Sequence, residues 1–329
     1  MRKIGWVLAA AIGFSAQSAA AITMKQLRDG IAADQSAVPG QQYIHFGPMK
    51  DGRELSVTTQ MVNGSSAVSI AQVGPGTYVI RMGRTLALNA LLLSDAAMIC
   101  AHFPKEACGR MPDYIERVRQ SPTPAQAPFV EDAFPDLADV AQKSRADEAL
   151  YTASLLGSIQ SLMVMITLHE IGHAALQHLD NPNVAPETKI GQEGEADGFA
   201  SYVAETAGLP QMGMSVPFLL DATEETLTGN TPTMHPAALC RAVVMAGKSI
   251  DWLQQNATHL LAPSDDKARD QLAREMLDRM TSWSGLGELD KIQSLNCKQY
   301  VVSFATGFQK ARAFVDQNTH IDSSVPGQK

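Results

Sequence analysis

The segment 166–176 constrains this chain more than any other stretch. It is apolar and rich in helix formers, and it holds the pattern His169-Glu170-Ile171-Gly172-His173. On an α-helix, positions four apart lie one above the other on the same face. His169 and His173 can then aim two imidazole nitrogens at one point, at the roughly 2.0–2.1 Å that Zn²⁺ requires. Glu170 follows about 100° round the helix, where a carboxylate can take a proton from a water and return it to a leaving amine. Catalytic zinc sites use three protein ligands and leave a fourth position to water, so a further ligand has to come from elsewhere in the chain. Gly172 costs a helix roughly 1 kcal/mol relative to Ala, and its presence there points to close approach of another backbone.

The segment 191–200 offers three carboxylates on what reads as the next helix. Glu193 and Asp197 are four apart and share a face, while Glu195 points elsewhere. One of that pair could bind the metal and the other receive the free N–H of a ligand histidine. An acidic first turn that complements the helix dipole is the plainer alternative. His178 lies about 140° off the face of His173 by helical arithmetic, so it reads as a support or a surface residue and not as a ligand. His45, His102, His259 and His320 have no partner motif, and Trp252 and Met163-Val164-Met165 read as core.

Three ordered motifs together resemble a known family. His169-Glu170-Ile171-Gly172-His173 with His178, then Glu193-x-x-Ala196-Asp197, then His235-Pro236-x-x-x-x-Arg241 are similar to the CAAX-protease/HtpX family of zinc metallopeptidases, a gluzincin group, and in particular to its soluble periplasmic, BepA-like branch. The resemblance covers about 158–244. It implies one Zn²⁺ per chain held by His169, His173 and Glu193, with Glu170 as general base and Asp197 supporting a ligand. It also implies that His235 lies near the metal, either as a latch in its open position or as an oxyanion donor, and that Arg241 lies near the cleft, where it is the other catalytic candidate for stabilising the oxyanion.

The whole chain, 329 residues long, 45% hydrophobic and 18% charged, can bury a substantial core. Its net charge of −8 argues against nucleic acid and against an anionic membrane surface. Met1-Arg2-Lys3, an apolar run to Phe14 and small residues ending in Ala19-Ala20-Ala21 read as a secretory signal peptide, cleaved after Ala21. The remainder shows no apolar run long enough to span a membrane, the nearest being 149–168. Export to a bacterial periplasm is the simplest destination. Four cysteines in an oxidising compartment suggest two disulfides. The favoured pairing is Cys100 with Cys108, closing a short loop, and Cys240 with Cys297, tying the catalytic region to the C-terminal helices.

The fold expected is α+β and mostly α. A small antiparallel sheet, with strands near 54–61 and 77–82, and a backing helix at 84–102 occupy 22–136. A metallopeptidase core of gluzincin type occupies 137–245, with a helix broken near Gly157, the active-site helix at about 158–179 and another at about 193–205. Helices near 237–255, 265–283 and 297–317 and a disordered tail from 318 complete the chain. The function expected is a zinc endopeptidase acting on unfolded or misassembled periplasmic proteins, with the polypeptide substrate added to the sheet edge. The rival is a non-proteolytic, zinc-stabilised chaperone or assembly factor, against which the intact Glu170 argues.

Overall fold

The computed structural model describes residues 24–33, 42–46, 54–62, 68–121, 126–181, 183–207, 240–241, 244–245, 247–248, 297–317 and 321–324. The leader expected at 1–21, His235, Trp252, His259, His320, the helix expected at 265–283 and most of the one expected at 237–255 lie outside these residues.

In chain order the elements are α1 (Met24–Ala33), β1 (Gln42–Phe46), β2 (Leu55–Val62), β3 (Val68–Gly74), β4 (Thr77–Gly83), α2 (Arg84–His102), α3 (Met111–Gln120), α4 (Ala138–Ser144), α5 (Glu148–Ala175), α6 (Pro186–Ala207), α7 (Lys298–Gln317) and β5 (Ile321–Ser324). Short helical turns fill 104–110 and 130–137. The described chain is mostly helical with one small sheet, as its sequence pattern suggests.

The sheet is larger than expected, and it is mixed. Its order is β3-β4-β2-β1-β5, with β2 and β4 parallel and every other pair antiparallel. The turn Gly74-Pro75-Gly76 explains the parallel pair. Gly76 has φ 63°, and a Cβ there would run into the carbonyl of Glu54. The Gly76 carbonyl accepts a hydrogen bond from Ser56 N–H at 2.7 Å. The hairpin tip is therefore fastened to the start of β2, and β4 leaves it in the direction of β2, in the register Ser56 to Thr77. Alternation puts Leu55, Val57 and Thr59 of β2 and Tyr78, Ile80 and Met82 of β4 on the buried face. The tail is not wholly disordered either: Ile321–Ser324 satisfies its backbone groups on the outer edge of β1.

The sheet lies on α5, the helix of the His-Glu-x-x-His motif, and α2 follows β4 and packs along α5. Thr85–His102 is long and apolar enough by length and composition alone to cross a membrane, a test that a buried core helix also passes. Most of it is buried here, and its Asp95 meets Arg145. Gly157 does not break α5, which runs unbroken for 28 residues. Leu155, Ile159 and Leu162 are buried on either side of that glycine, and apolar burial of roughly 1.5–3 kcal/mol per side chain outweighs its helical cost. Inside the helix the Thr167 hydroxyl donates to Met163 O at 2.8 Å.

The end of α5 comes earlier than the sequence suggests. Gln177 adopts φ 63°, Gln177 N–H donates to Ala174 O at 3.2 Å, and His178 N–H donates to His173 O at 2.9 Å. These are the two bonds of a Schellman motif, which brings the side chain two places past the cap over the last full turn.

α6 begins at Pro186, with proline in its first turn where no N–H is needed. Glu193 is thus in the body of the helix and not in an acidic first turn. Close approach on both sides of α6 fixes its position. A Cβ on Gly172 would stand 3.2 Å from Cα and O of Ala196, so α5 and α6 touch backbone to backbone there, as that glycine suggested. On the other side a Cβ on Gly198 would meet the Phe304 carbonyl, and one on Gly307 the Glu195 carbonyl, so α7 lies equally close. Disulfides join Cys100 to Cys108 and Cys240 to Cys297, the pairing favoured from sequence.

Candidate metal centre

α5 and α6 bring His169, His173 and Glu193 together. His169 Nε2 stands 3.1 Å from His173 Nε2 and 3.2 Å from Glu193 Oε2, and His173 Nε2 stands 3.4 Å from Glu193 Oε1. Three donors on a tetrahedral zinc with bonds of roughly 2.0–2.1 Å would be about 3.3–3.4 Å apart. The donor set thus fits Zn²⁺ in chemistry and in spacing. Glu170, next to His169 on α5, is buried.

Asp197 is wholly buried one turn beyond Glu193. Its Oδ1 accepts from His169 Nδ1 at 2.8 Å and from Arg241 Nη2 at 2.8 Å, and its Oδ2 accepts from Arg241 Nε and from Tyr300 OH, each at 2.8 Å. A carboxylate has about four lone-pair sites, and here all four are filled. An ionised carboxylate only accepts, so His169 carries a proton on Nδ1, and Nε2, which faces His173 and Glu193, is the nitrogen that would bind a metal. Arg241 lies in the cluster as a clamp on Asp197. The Cys240–Cys297 disulfide sits beside Arg241 in the chain and three residues before Tyr300, so it ties together the two segments that hold this carboxylate.

The electrostatics call for positive charge. Burial works against a charge on His169, yet Asp197 and Glu193 override it and raise its pKa to about 10. Burial would raise Glu193, but its contacts with His169 and His173 hold it well below the usual carboxylate range. Burial would likewise raise Asp197, and Arg241 with His169 brings it down to about 2. Without a metal, a second proton on His169 balances these carboxylates, and a bound cation would take that proton's place.

A second chain of contacts leads away from His173. Its Nδ1 lies 3.0 Å from His178 Nδ1, His178 Nε2 lies 3.0 Å from Glu195 Oε2, and Lys310 Nζ donates to the same oxygen at 2.7 Å. Burial is the largest influence on His178 and lowers its pKa. Helical arithmetic put His178 off the face of His173 because it assumed that α5 continued through Leu179, whereas the cap turns it onto His173; Glu195, off the face of Glu193 and Asp197, faces His178. Tyr300 and Lys310 were not singled out either; both come from α7, far away in sequence, and no local pattern marks them. His235 lies outside the described residues. Elsewhere His102 Nδ1 meets Ser144 Oγ at 2.8 Å, an ordinary packing role.

Fold and site define a mostly helical α+β protein in which two histidines of one helix and a glutamate of the next converge. Comparison with protein-family models, with curated proteins and with solved structures finds no match to this chain.

Proposed function

We propose that the chain is a zinc-dependent endopeptidase of gluzincin type, acting on unfolded or misassembled proteins in the periplasm. The observation that carries this reading is the triangle of His169, His173 and Glu193 with the buried Glu170 beside it. Both disulfides and the leader-like N-terminus favour an exported protein, and the three motifs shared with the CAAX-protease/HtpX family favour peptide hydrolysis.

When bound, zinc would supply an acidified water and polarise the scissile carbonyl. Glu193, His169 and His173 would hold it. Asp197 keeps His169 in the tautomer that presents Nε2, and Arg241 and Tyr300 keep Asp197 ionised. Glu170 would accept a proton at its carboxylate and pass it to the leaving amine. The edge strand β3, with Ser69, Gln72 and Val73 exposed, is the template on which an extended substrate would pair beside α5.

Glu170→Gln separates this reading from a non-proteolytic zinc protein. It keeps the ligands and the side-chain volume but removes the base. The variant should retain one zinc per chain by elemental analysis and lose hydrolysis of an unfolded casein substrate. Hydrolysis that survives undiminished in the variant would remove Glu170 from the mechanism. A wild type that binds zinc but cleaves no unfolded protein would favour the assembly-factor reading.

A further inference from the structure

We propose that His178 is the positioning residue of His173, and that Glu195 and Lys310 fix it in that role. This rests on the zinc reading of the same site. Lys310 Nζ, an ammonium at the protein surface, lies 2.7 Å from Glu195 Oε2 and keeps that carboxylate charged. An ionised carboxylate only accepts, so the 3.0 Å contact with His178 requires the proton on His178 Nε2. In that tautomer a neutral His178 offers a lone pair on Nδ1, and His173 Nδ1, 3.0 Å away, is placed to donate to it. His173 is left with its own lone pair on Nε2, facing His169 Nε2 and Glu193. Each step sets the tautomer of the next group, and the last step makes His173 a competent ligand.

The backbone places His178 for this purpose. In the Schellman turn after α5 the residue at position 178 folds back over residue 173, where two apolar side chains usually touch. Here two imidazoles occupy those places, with ring centroids 5.1 Å apart. Gln177 takes the left-handed conformation that the turn requires, although a residue with a Cβ bears a cost of roughly 1–2 kcal/mol there. Glu195 and Lys310 come from α6 and α7, so the relay also depends on the close packing of those helices at Gly307. The two ligand histidines therefore have unlike supports, a carboxylate for His169 and a second imidazole for His173.

The experiment measures zinc affinity by competition with a chromophoric chelator, in the wild type and in His178→Leu, His178→Gln and Glu195→Leu. Loss of a ligand's hydrogen-bond partner typically weakens metal binding about 10–100-fold, and that loss is expected for His178→Leu and Glu195→Leu. Gln offers an acceptor carbonyl, and His178→Gln should restore most of the affinity. A second readout needs no substitution. In the zinc-loaded wild type, nitrogen NMR of labelled histidines should show His178 protonated at Nε2 and His173 at Nδ1. Equal zinc affinity in the wild type and His178→Leu, or His178 protonated at Nδ1, would overturn the inference alone. A wild-type chain that takes up no zinc would overturn the metal reading, and the inference with it.

Discussion

Two buried aspartates in this protein look alike and do different work. Asp95 on α2 and Asp197 on α6 are both wholly inaccessible, both grip an arginine through two nitrogens, and both accept a tyrosine hydroxyl. Arg145 serves Asp95, and Tyr151 OH reaches it at 2.7 Å. Arg241 and Tyr300 serve Asp197. The difference lies in what else each cluster touches. Arg145 is shared with a second carboxylate, Glu131, at 2.6 Å, so one cation answers two anions. Burial dominates there and Asp95 is raised above the ordinary carboxylate value. Asp197 has Arg241 and also His169, and it is lowered to about 2. A buried, perturbed carboxylate is thus no marker of a functional site by itself. What distinguishes Asp197 is the imidazole it orients, whose other nitrogen faces two more donors.

The largest effects should come from removing the arginines. Arg145→Leu and Arg241→Leu each leave a carboxylate buried without its cation, and each should cost about 3–5 kcal/mol of stability in urea unfolding. Only Arg241→Leu should also weaken zinc uptake. If Arg145→Leu weakens it equally, the two clusters are not functionally distinct.

Smaller and more diagnostic effects are expected from the isosteric pair Asp95→Asn and Asp197→Asn. Zinc affinity should fall about 10–100-fold for Asp197→Asn and stay unchanged for Asp95→Asn. Their pH dependences should have opposite signs. Asp197 has a depressed value, so its contribution is present above the unfolded carboxylate value near 3.9 and is lost as pH falls toward about 2. The penalty of Asp197→Asn should therefore grow between pH 2 and pH 4. Asp95 has a raised value, so its contribution is present below the unfolded value and is lost as pH rises through the folded one. The penalty of Asp95→Asn should shrink as pH rises. Chemical denaturation of both variants from pH 2 to neutral pH provides the check, and parallel curves would contradict the electrostatic contrast.

The smallest effect expected is at the cap of α5, outside both clusters. Gln177→Gly relieves a left-handed residue of its Cβ and should raise stability by at most about 1 kcal/mol, with zinc affinity unaltered. Thermal unfolding of the apo and loaded protein would detect it, and a decrease would show that the Gln177 side chain has a further role.

Much of the site could be read from local spacing, and the parts that could not share a cause. His169, Glu170 and His173 lie within one turn and a half of helix, and Glu193 and Asp197 repeat the same spacing on the next element, so periodicity alone puts each pair on one face. The strands at 55–62 and 77–83 and the helix at 84–102 also follow from alternation and helical periodicity. The contact of His178 with His173 was not legible, because a cap reverses the chain just before it. Tyr300 and Lys310 arrive through helix packing across more than a hundred residues of sequence, at glycines whose contacts no single sequence displays. β1 and β5 are short, and the parallel register of β2 and β4 depends on a hydrogen bond between a turn and a distant strand end.

The bond between Cys240 and Cys297 has a consequence for how Asp197 loses its partners. Arg241 is the next residue after one cysteine, and Tyr300 lies a single helical turn after the other. With the ends joined, neither donor can drift far while its companion stays in place. Opening of this corner becomes one concerted breathing event instead of two independent ones, and a donor that slips off finds its acceptor again from a distance of a few residues. In hydrogen exchange the amides beside Arg241 and Tyr300 should then share one opening free energy. The crosslink acts as a hinge pin that sets how often the carboxylate behind His169 is left alone.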